Sequence, residues 1–456
     1  VVATMAAEAG RLDDERAPAA AWHPLVRIAF RFGFVFVGVG MAAPWVAHAL
    51  LRSFGLPTDT VLTVAKWTAL HPLSDWVGTQ FFGTRADYSA SGSSDTATQW
   101  VAEFTLLLVA VVATAVWSIL DRRRPGYDRL YGWFRLLLRA VLVAALLLYG
   151  MVKALPSQMT FSLERLVEPF GDMSPMSILW ASTAMSEPYE IALGAAELTA
   201  ALLLVLPRTA GLGAVLAFIV SLQVAVLNLT FDVPVKLFAL QLVVYSAILA
   251  APDIARIVKA LTGHAVPAPD TPPLVATPRA QRMLLLAQVL FGAWLLFTSI
   301  TEGYDAYRSY GNGREHSPLY GIWNVTEYTV AGQTLPPLVD YSGKEHNAQM
   351  LGANERFRRI IFDNTIGVTA QRMDDSLVSF PGEVDADAHT VTLAKDRAHQ
   401  WKIATFAYEQ PEAGELILEG QVGGRPVRMR LARLDLDRLP SVSRGFHWVQ
   451  PAPYFR

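Results

Sequence analysis

Seven apolar stretches of about 20 residues each run through this 456-residue chain. That is the length a helix needs to cross the ~30 Å hydrocarbon core of a bilayer. They fall at about 27–52, 100–120, 133–152, 188–206, 210–229, 234–251 and 281–300. Hydrocarbon offers the backbone no hydrogen-bond partners, so such stretches are confined to helices that satisfy their own amides. With 52% hydrophobic and 17% charged residues, the chain reads as an α-helical integral membrane protein with some soluble mass attached. A net charge of −2 gives no basis for a nucleic-acid partner, and the lipid membrane is the first partner expected. The absence of cysteine excludes disulfides, thiol redox chemistry, iron–sulfur clusters and Cys-ligated zinc. The stretch Val1 to His23 has an acidic cluster at Asp13 and Asp14 and no apolar core. It is expected to be a cytoplasmic tail (1–26), with the first span directing insertion.

Basic residues set the expected orientation. Arg122, Arg123, Arg124, Arg129 and Arg135 lie between spans two and three, Arg208 between four and five, and Arg256, Lys259, Arg279 and Arg282 between six and seven. All these loops fall on one side, which the positive-inside rule makes cytoplasmic. The opposite loops carry Glu164, Glu168, Asp172 and Glu187. The N-terminus is therefore expected inside and the C-terminus outside. The arginines are read as this topology signal rather than as an anionic-lipid site.

The six spans of 27–251 form one membrane block, separated by a Pro/Ala-rich cytoplasmic linker (252–280) from the seventh span (281–300). That span reads as a tether for an exported domain, 301–456, where apolar and polar residues alternate as in half-buried strands. Candidate strands are 321–330, 357–363, 366–372, 377–381, 389–394, 400–408, 415–422 and 426–434, with Gly423-Gly424 as a hairpin turn. Eight strands suffice for a small closed antiparallel β-barrel, and an antiparallel sandwich is the alternative. Gly321-Ile322-Trp323 resembles the Gly-x-Trp opening of lipocalin-like barrels. In those an arginine of a late strand packs over the Trp, and Arg430 or Arg433 is placed to do so. The aromatic tail around Phe446, His447 and Trp448 is expected to pack on the barrel or the membrane-facing surface, with His447 in a structural role.

Ionisable and amide side chains cost several kcal/mol in hydrocarbon unless paired or hydrated. Tyr149 and Lys153 end span three, Glu190 and Glu197 lie in span four, Gln223 and Asn228 in span five, and Lys236 and Gln241 in span six. Their similar depth suggests one polar pocket open to the outer side. Pro188 suits a first helical turn, and Glu187 and in part Glu190 complement the helix dipole. Glu197, about 10 Å further along the same face, is not explained that way. Gly194 between them permits close approach. Lys153 and Lys236 are the available cations for Glu197. Glu197 either fixes packing through a buried ion pair or exchanges protons and binds ligand. No histidine occurs between 133 and 251, so no haem is expected there, and carboxylates without His or Cys give no expectation of a metal. A quinone, which needs donors such as Lys, Tyr or Gln and an apolar groove for its tail, remains open.

The run Tyr149-Gly150-Met151-Val152-Lys153-Ala154-Leu155-Pro156-Ser157-Gln158 resembles the Gly-x-x-Lys-x-x-Pro-x-Gln stretch of the DoxX-like membrane family. Gly171-Asp172-Met173-Ser174-Pro175, Tyr189 with Glu197, and Asn228 followed by Asp232-Val233-Pro234-Val235-Lys236-Leu237 also match its larger members, and the tail matches loosely. The resemblance implies a four-helix core over 133–251, residence in a bacterial inner membrane with a periplasmic C-terminal domain, and a link to quinone oxidoreductases. On that expectation Glu197, Lys153 and Lys236 carry the chemistry, Tyr149, Gln158, Glu190, Gln223, Asn228 and Gln241 contact the ligand, and the chain is a possible oxidoreductase subunit with a redox or assembly partner on the periplasmic side. Two other readings stand beside it: a non-enzymatic scaffold that displays the β-domain to an exported partner, and a transporter of a small anion or lipid.

Overall fold

The computed structural model of the chain describes residues 21–57, 59–61, 63–64, 70–85, 93–266, 273–335, 356–396 and 401–454. The expected N-terminal tail lies almost wholly outside these, as does 267–272 of the Pro-rich linker. Among the described residues seven helices are long and apolar enough to cross a membrane, with mean hydropathy of 1.4 to 2.3. We number them α1 (Pro24–His48), α2 (Ala97–Leu120), α3 (Asp128–Ala154), α4 (Glu187–Val205), α5 (Ala210–Thr230), α6 (Lys236–Leu261) and α7 (Pro278–Ser309). The span boundaries read from hydropathy hold to within a few residues at most ends. They fall short at α6, which continues through Pro252, and at α7, which runs past residue 300. Polar residues extend both helices beyond the apolar window that hydropathy detects.

The chain divides into two compact units. The first comprises residues 1–151 and 193–302, the second 152–192 and 303–456.

In the first unit a continuous core joins Phe30, Phe134, Leu138, Leu142, Ala200, Leu204, Ala217, Tyr245 and Leu249. Charged groups at the Arg-rich end are absorbed by backbone acceptors. Arg139 donates from Nη2 to the Leu204 and Val205 carbonyls at 2.7 and 3.0 Å, capping the last turn of α4. The buried Arg31 bonds the Tyr127 hydroxyl, Ser118 and the Asp121 carbonyl, each at 2.9 Å. Both arginines are thus structural.

In the second unit the C-terminal residues form a nine-stranded antiparallel sheet in the order β2-β1-β3-β4-β5-β6-β7-β8-β9. The strands are β1 (His316–Val330), β2 (Gln333–Leu335), β3 (Phe357–Asn364), β4 (Gly367–Arg372), β5 (Leu377–Asp385), β6 (Thr390–Ala394), β7 (Lys402–Glu409), β8 (Glu415–Val422) and β9 (Arg425–Arg433). The long β1 also pairs with β9, from Trp323↔Arg433 to Val330↔Val427. Eight strands therefore close into a barrel, and the sandwich alternative falls away. Trp323, 1% exposed, belongs to its core with Phe362, Phe406, Leu416 and Met429. The Trp323 indole donates to the Leu319 carbonyl at 2.9 Å, and the Arg433 guanidinium lies 6.0 Å from its ring. Of the two candidate arginines Arg433 covers the tryptophan, while Arg430 pairs with Glu415 at 3.0 Å. Gly321 takes φ of 148°, and a Cβ there would stand 3.0 Å from Arg433 Nε. This is the physical content of the Gly-x-Trp pattern.

Residues 152–192 belong to the barrel's unit, although hydropathy reads 153–187 as a loop between spans three and four and the flanking residues as span ends. Asp363 and Arg314 form a bidentate pair, with Nη2–Oδ1 and Nε–Oδ2 both at 3.0 Å and Nη2–Oδ2 at 2.7 Å. Arg314 also donates to the Phe161 carbonyl at 3.0 Å, and the Leu163 amide donates to Asp363 at 3.3 Å. The buried Gln371 donates to the Val167 carbonyl at 2.9 Å. Leu163, Ile322 and Ile361 form a small core beside these bonds.

The C-terminal tail does not bury its aromatic rings on the barrel. Phe446 and Trp448 are 78% and 91% exposed and touch each other edge-on at 5.0 Å.

Candidate functional site

Two helix starts define the site. Asp95, just ahead of α2, accepts the backbone amides of Lys236 and Leu237 at 2.9 Å each. A carboxylate at a helix N-terminus satisfies orphan amides and matches the dipole. Thr96 caps α2 itself, its hydroxyl accepting the Gln99 amide at 3.3 Å. The beginnings of α2 and α6 are thereby held side by side. About two turns into each helix Glu103 and Gln241 meet, Gln241 Nε2 donating to Glu103 Oε1 at 2.7 Å.

A cavity of about 350 Å³ opens beside this pair, within the range of small-molecule sites. Tyr149, at the end of α3, lines it together with Trp45 and His48 of α1, Phe238 of α6, and Glu103 and Gln241. Trp45 and Phe238 stack with centroids 5.0 Å apart and planes at 10°, and Tyr149 lies 6.0 Å from Phe238. Gly40, Met41 and Pro44 of α1 add an apolar wall. There α1 widens into a π-helix over Phe34–Ala42, with the Ala43 amide bonded to the Gly38 carbonyl. Pro44 sits where the wide ladder returns to α, its missing N–H falling at a register change. Among the described residues Glu103 Oε2 and His48 Nε2 are buried and meet no hydrogen-bond partner, and so is the Tyr245 hydroxyl one turn below Gln241. Three unsatisfied polar atoms near one cavity mark a place where a ligand or water would be held. All these residues lie at the end of the helical unit where α1 and α3 finish and α2 and α6 begin, opposite the Arg122–Arg124 loop.

The nine residues expected to share one pocket are distributed. Tyr149 and Gln241 line the cavity. Glu197, 4% exposed, does not line the cavity but is close enough to Tyr149 to interact with it electrostatically. A Cβ on Gly150 would stand 3.1 Å from both Glu197 Cβ and the Gly194 carbonyl, so α3 is what approaches closely at Gly194.

Lys153, Gln158 and Glu190 belong to the second unit. There Glu190 is fully buried, accepts the Met159 amide at 3.1 Å and interacts electrostatically with Lys153. Glu190 Oε2 and Gln158 Oε1 meet no partner among the described residues.

Lys236 is engaged by Asp232 at 2.8 Å and Asp95 at 3.6 Å, and it does not line the cavity. Asn228 is buried and donates to the Val235 carbonyl at 3.3 Å, tying the turn between α5 and α6. Gln223 is exposed on the outer face of α5. Residues five apart on a helix point roughly 140° from each other, so Gln223 and Asn228 do not face one pocket together.

Sequence reasoning missed Glu103 and His48. Glu103 is the one ionisable residue of α2 and His48 ends α1, and both helices precede the 133–251 stretch where the site was expected. A readable signal was nonetheless present, since an acid seven residues into an apolar helix raises the same energetic question as Glu197.

A curated protein, the uncharacterized protein YwoB of Bacillus subtilis (strain 168), is 34% identical to the chain over 76 residues, 15% of this chain and 49% of that protein. The chain thus spans about half the length of the curated relative it matches. No family model matches the chain. No solved structure matches it.

Proposed function

We propose that the chain is a DoxX-like protein of the bacterial inner membrane that binds a quinone-like, lipid-soluble ligand in the Glu103–Gln241 cavity. The observation that carries this reading is the combination of a stacked aromatic wall, Trp45 and Phe238, with buried unsatisfied polar atoms on Glu103 and His48. Flat aromatic head groups need such a face and a few polar contacts to fix them. Tyr149 lines the cavity and interacts electrostatically with Glu197, and in this reading it links that acid to the site. By the positive-inside rule the cavity end of the helices faces the periplasm, the side on which the barrel would then lie. The chain has no cysteine and hence no thiol or iron–sulfur carrier, so a redox or assembly partner on that side belongs to the same reading.

The test is saturable binding of decylubiquinone and decylubiquinol to the full chain in lipid nanodiscs, followed by quenching of Trp45 fluorescence with Trp45→Phe as background. Phe238→Ala should weaken whichever form binds by at least about tenfold, the loss expected for truncating an aromatic contact. Absence of saturable binding for both forms refutes the proposal.

A further inference from the structure

Chain connectivity marks one end of the barrel as the end beside the membrane. β1 and β9 are antiparallel, with Trp323 opposite Arg433, so the start of β1 and the end of β9 share that end. The chain enters β1 there from α7, and six residues, 310–315, separate the two elements. Six residues span at most about 20 Å. The connection from α3 to α4 reaches the barrel at the same end. Its Leu163 amide bonds Asp363, next to Asn364, which pairs with His316 at the start of β1.

After β9 the chain stays at this end. The Leu434 amide donates to the Ile322 carbonyl at 2.7 Å, and Leu434 and Leu436 pack on the small core of Leu163, Ile322 and Ile361. A 3₁₀ turn (Leu436–Arg438) and a short helix (Pro440–Ser443) follow. Polar contacts then fold the next residues into a loop. Arg444 stacks on Tyr454 at 4.1 Å and donates to Gln450 at 3.3 Å. The apolar side chains of this loop stay outside: Val449 is 81% exposed, beside the exposed Phe446 and Trp448. From Arg438 to Tyr454 there are two arginines and no acidic residue. Exposed aromatic rings beside arginine suit a bilayer interface, where the indole keeps its apolar body in lipid and its N–H in the wet layer.

We propose that residues 444–454 anchor the barrel on the membrane surface, with Phe446, Trp448 and Val449 seated at the boundary of lipid head groups and acyl chains. The anchor is independent of what the helical cavity binds. A lipid surface is favoured over a protein partner because two chain connections hold the bilayer beside this barrel end. Docking is then intramolecular, and a few apolar side chains suffice.

The chain has no cysteine, so Trp448→Cys gives one thiol for a nitroxide label in the full chain. Trp401→Cys gives the aqueous reference: Trp401 is 70% exposed and lies just before β7, at the opposite barrel end. Both side chains are exposed, so neither substitution removes a core contact. In nanodiscs of phosphatidylethanolamine and phosphatidylglycerol, paramagnetic resonance compares collisions with oxygen, which concentrates in hydrocarbon, and with a water-soluble nickel chelate. The label at 448 should meet oxygen more readily than nickel, and the label at 401 the reverse. Adding Phe446→Ser and Val449→Ser should move the docked-to-free ratio at 448 toward water by at least about tenfold, the loss for withdrawing these side chains from an apolar phase. A label at 448 as open to nickel as the one at 401 overturns the proposal. A label at 448 shielded from both reagents reports cover by protein and overturns it as well.

Discussion

Replacing Asp363 with alanine tests how residues 152–192 are held in the barrel's unit. The Arg314 and Asp363 side chains are 8% and 9% exposed, so neither is screened by bulk water. The substitution removes three hydrogen bonds of 2.7 to 3.0 Å from the guanidinium and the acceptor of the buried Leu163 amide. Removing one partner of a buried ion pair costs about 3–5 kcal/mol, because the remaining charge stays desolvated. Arg314 keeps the carbonyls of Phe161 and Gly311, both at 3.0 Å, which places the loss near the lower end, about 3 kcal/mol. At about 2–4 °C per kcal/mol for a unit of this size, the melt of the β-sheet circular-dichroism signal should fall by about 6–12 °C. Hydrogen exchange at the Leu163 amide should accelerate with it. The double variant Arg314→Met with Asp363→Leu should regain most of the loss, since an apolar pair carries no stranded charge. A single-variant melt within about 2 °C of wild type, on the same scaling, would show that the pair does not hold this stretch and would refute the reasoning.

Two further outcomes are expected. Asp95→Ala should fray the start of α6, with faster hydrogen exchange at Lys236 and Leu237 and a loss of about 1–2 kcal/mol, whereas Asp232→Ala, which removes only a partner of the Lys236 ammonium, should leave those amides protected. Burial first, and then the neighbouring Asp363 carboxylate, raises the Tyr320 hydroxyl above its ordinary value of 10.0. The unfolded chain therefore loses this proton first as pH rises, so the stabilisation is complete below pH 10 and is lost as pH climbs through the folded value. Melts above about pH 10 should fall more steeply for wild type than for Tyr320→Phe, which keeps the ring stacked 4.1 Å from His316.

Much of this architecture could be read from local pattern. Hydropathy found the seven spans because a bilayer imposes one length on every crossing. Period-two alternation found the strands, and Gly321-Ile322-Trp323 led to the tryptophan that Arg433 covers. The site was harder because its members meet through tertiary links. Glu103 and Gln241 are 138 residues apart and meet where Asp95 also ties the start of α2 to the start of α6. Nothing local to either helix announces that bond. Lys236 read as a cation for the pocket, but two aspartates, one of them 141 positions away, hold it at the helix entrance. Gln223 failed on arithmetic alone, since five residues do not return to the same helical face.

The barrel's unit draws on two distant stretches of chain, and this bears on the order in which it is made. Its cross-links join residues 153, 200 and 204 positions apart: Arg314 to Phe161, Leu163 to Asp363, and Gln371 to Val167. At about 5–20 residues per second of synthesis, the earlier stretch waits roughly 10–40 s for the strands that complete it. During that interval Leu163, Leu166 and Val167 have no barrel face to cover them. Contacts so far apart in sequence also close slowly. The nascent protein therefore passes through a stage in which this apolar seam stays open until β3 is made.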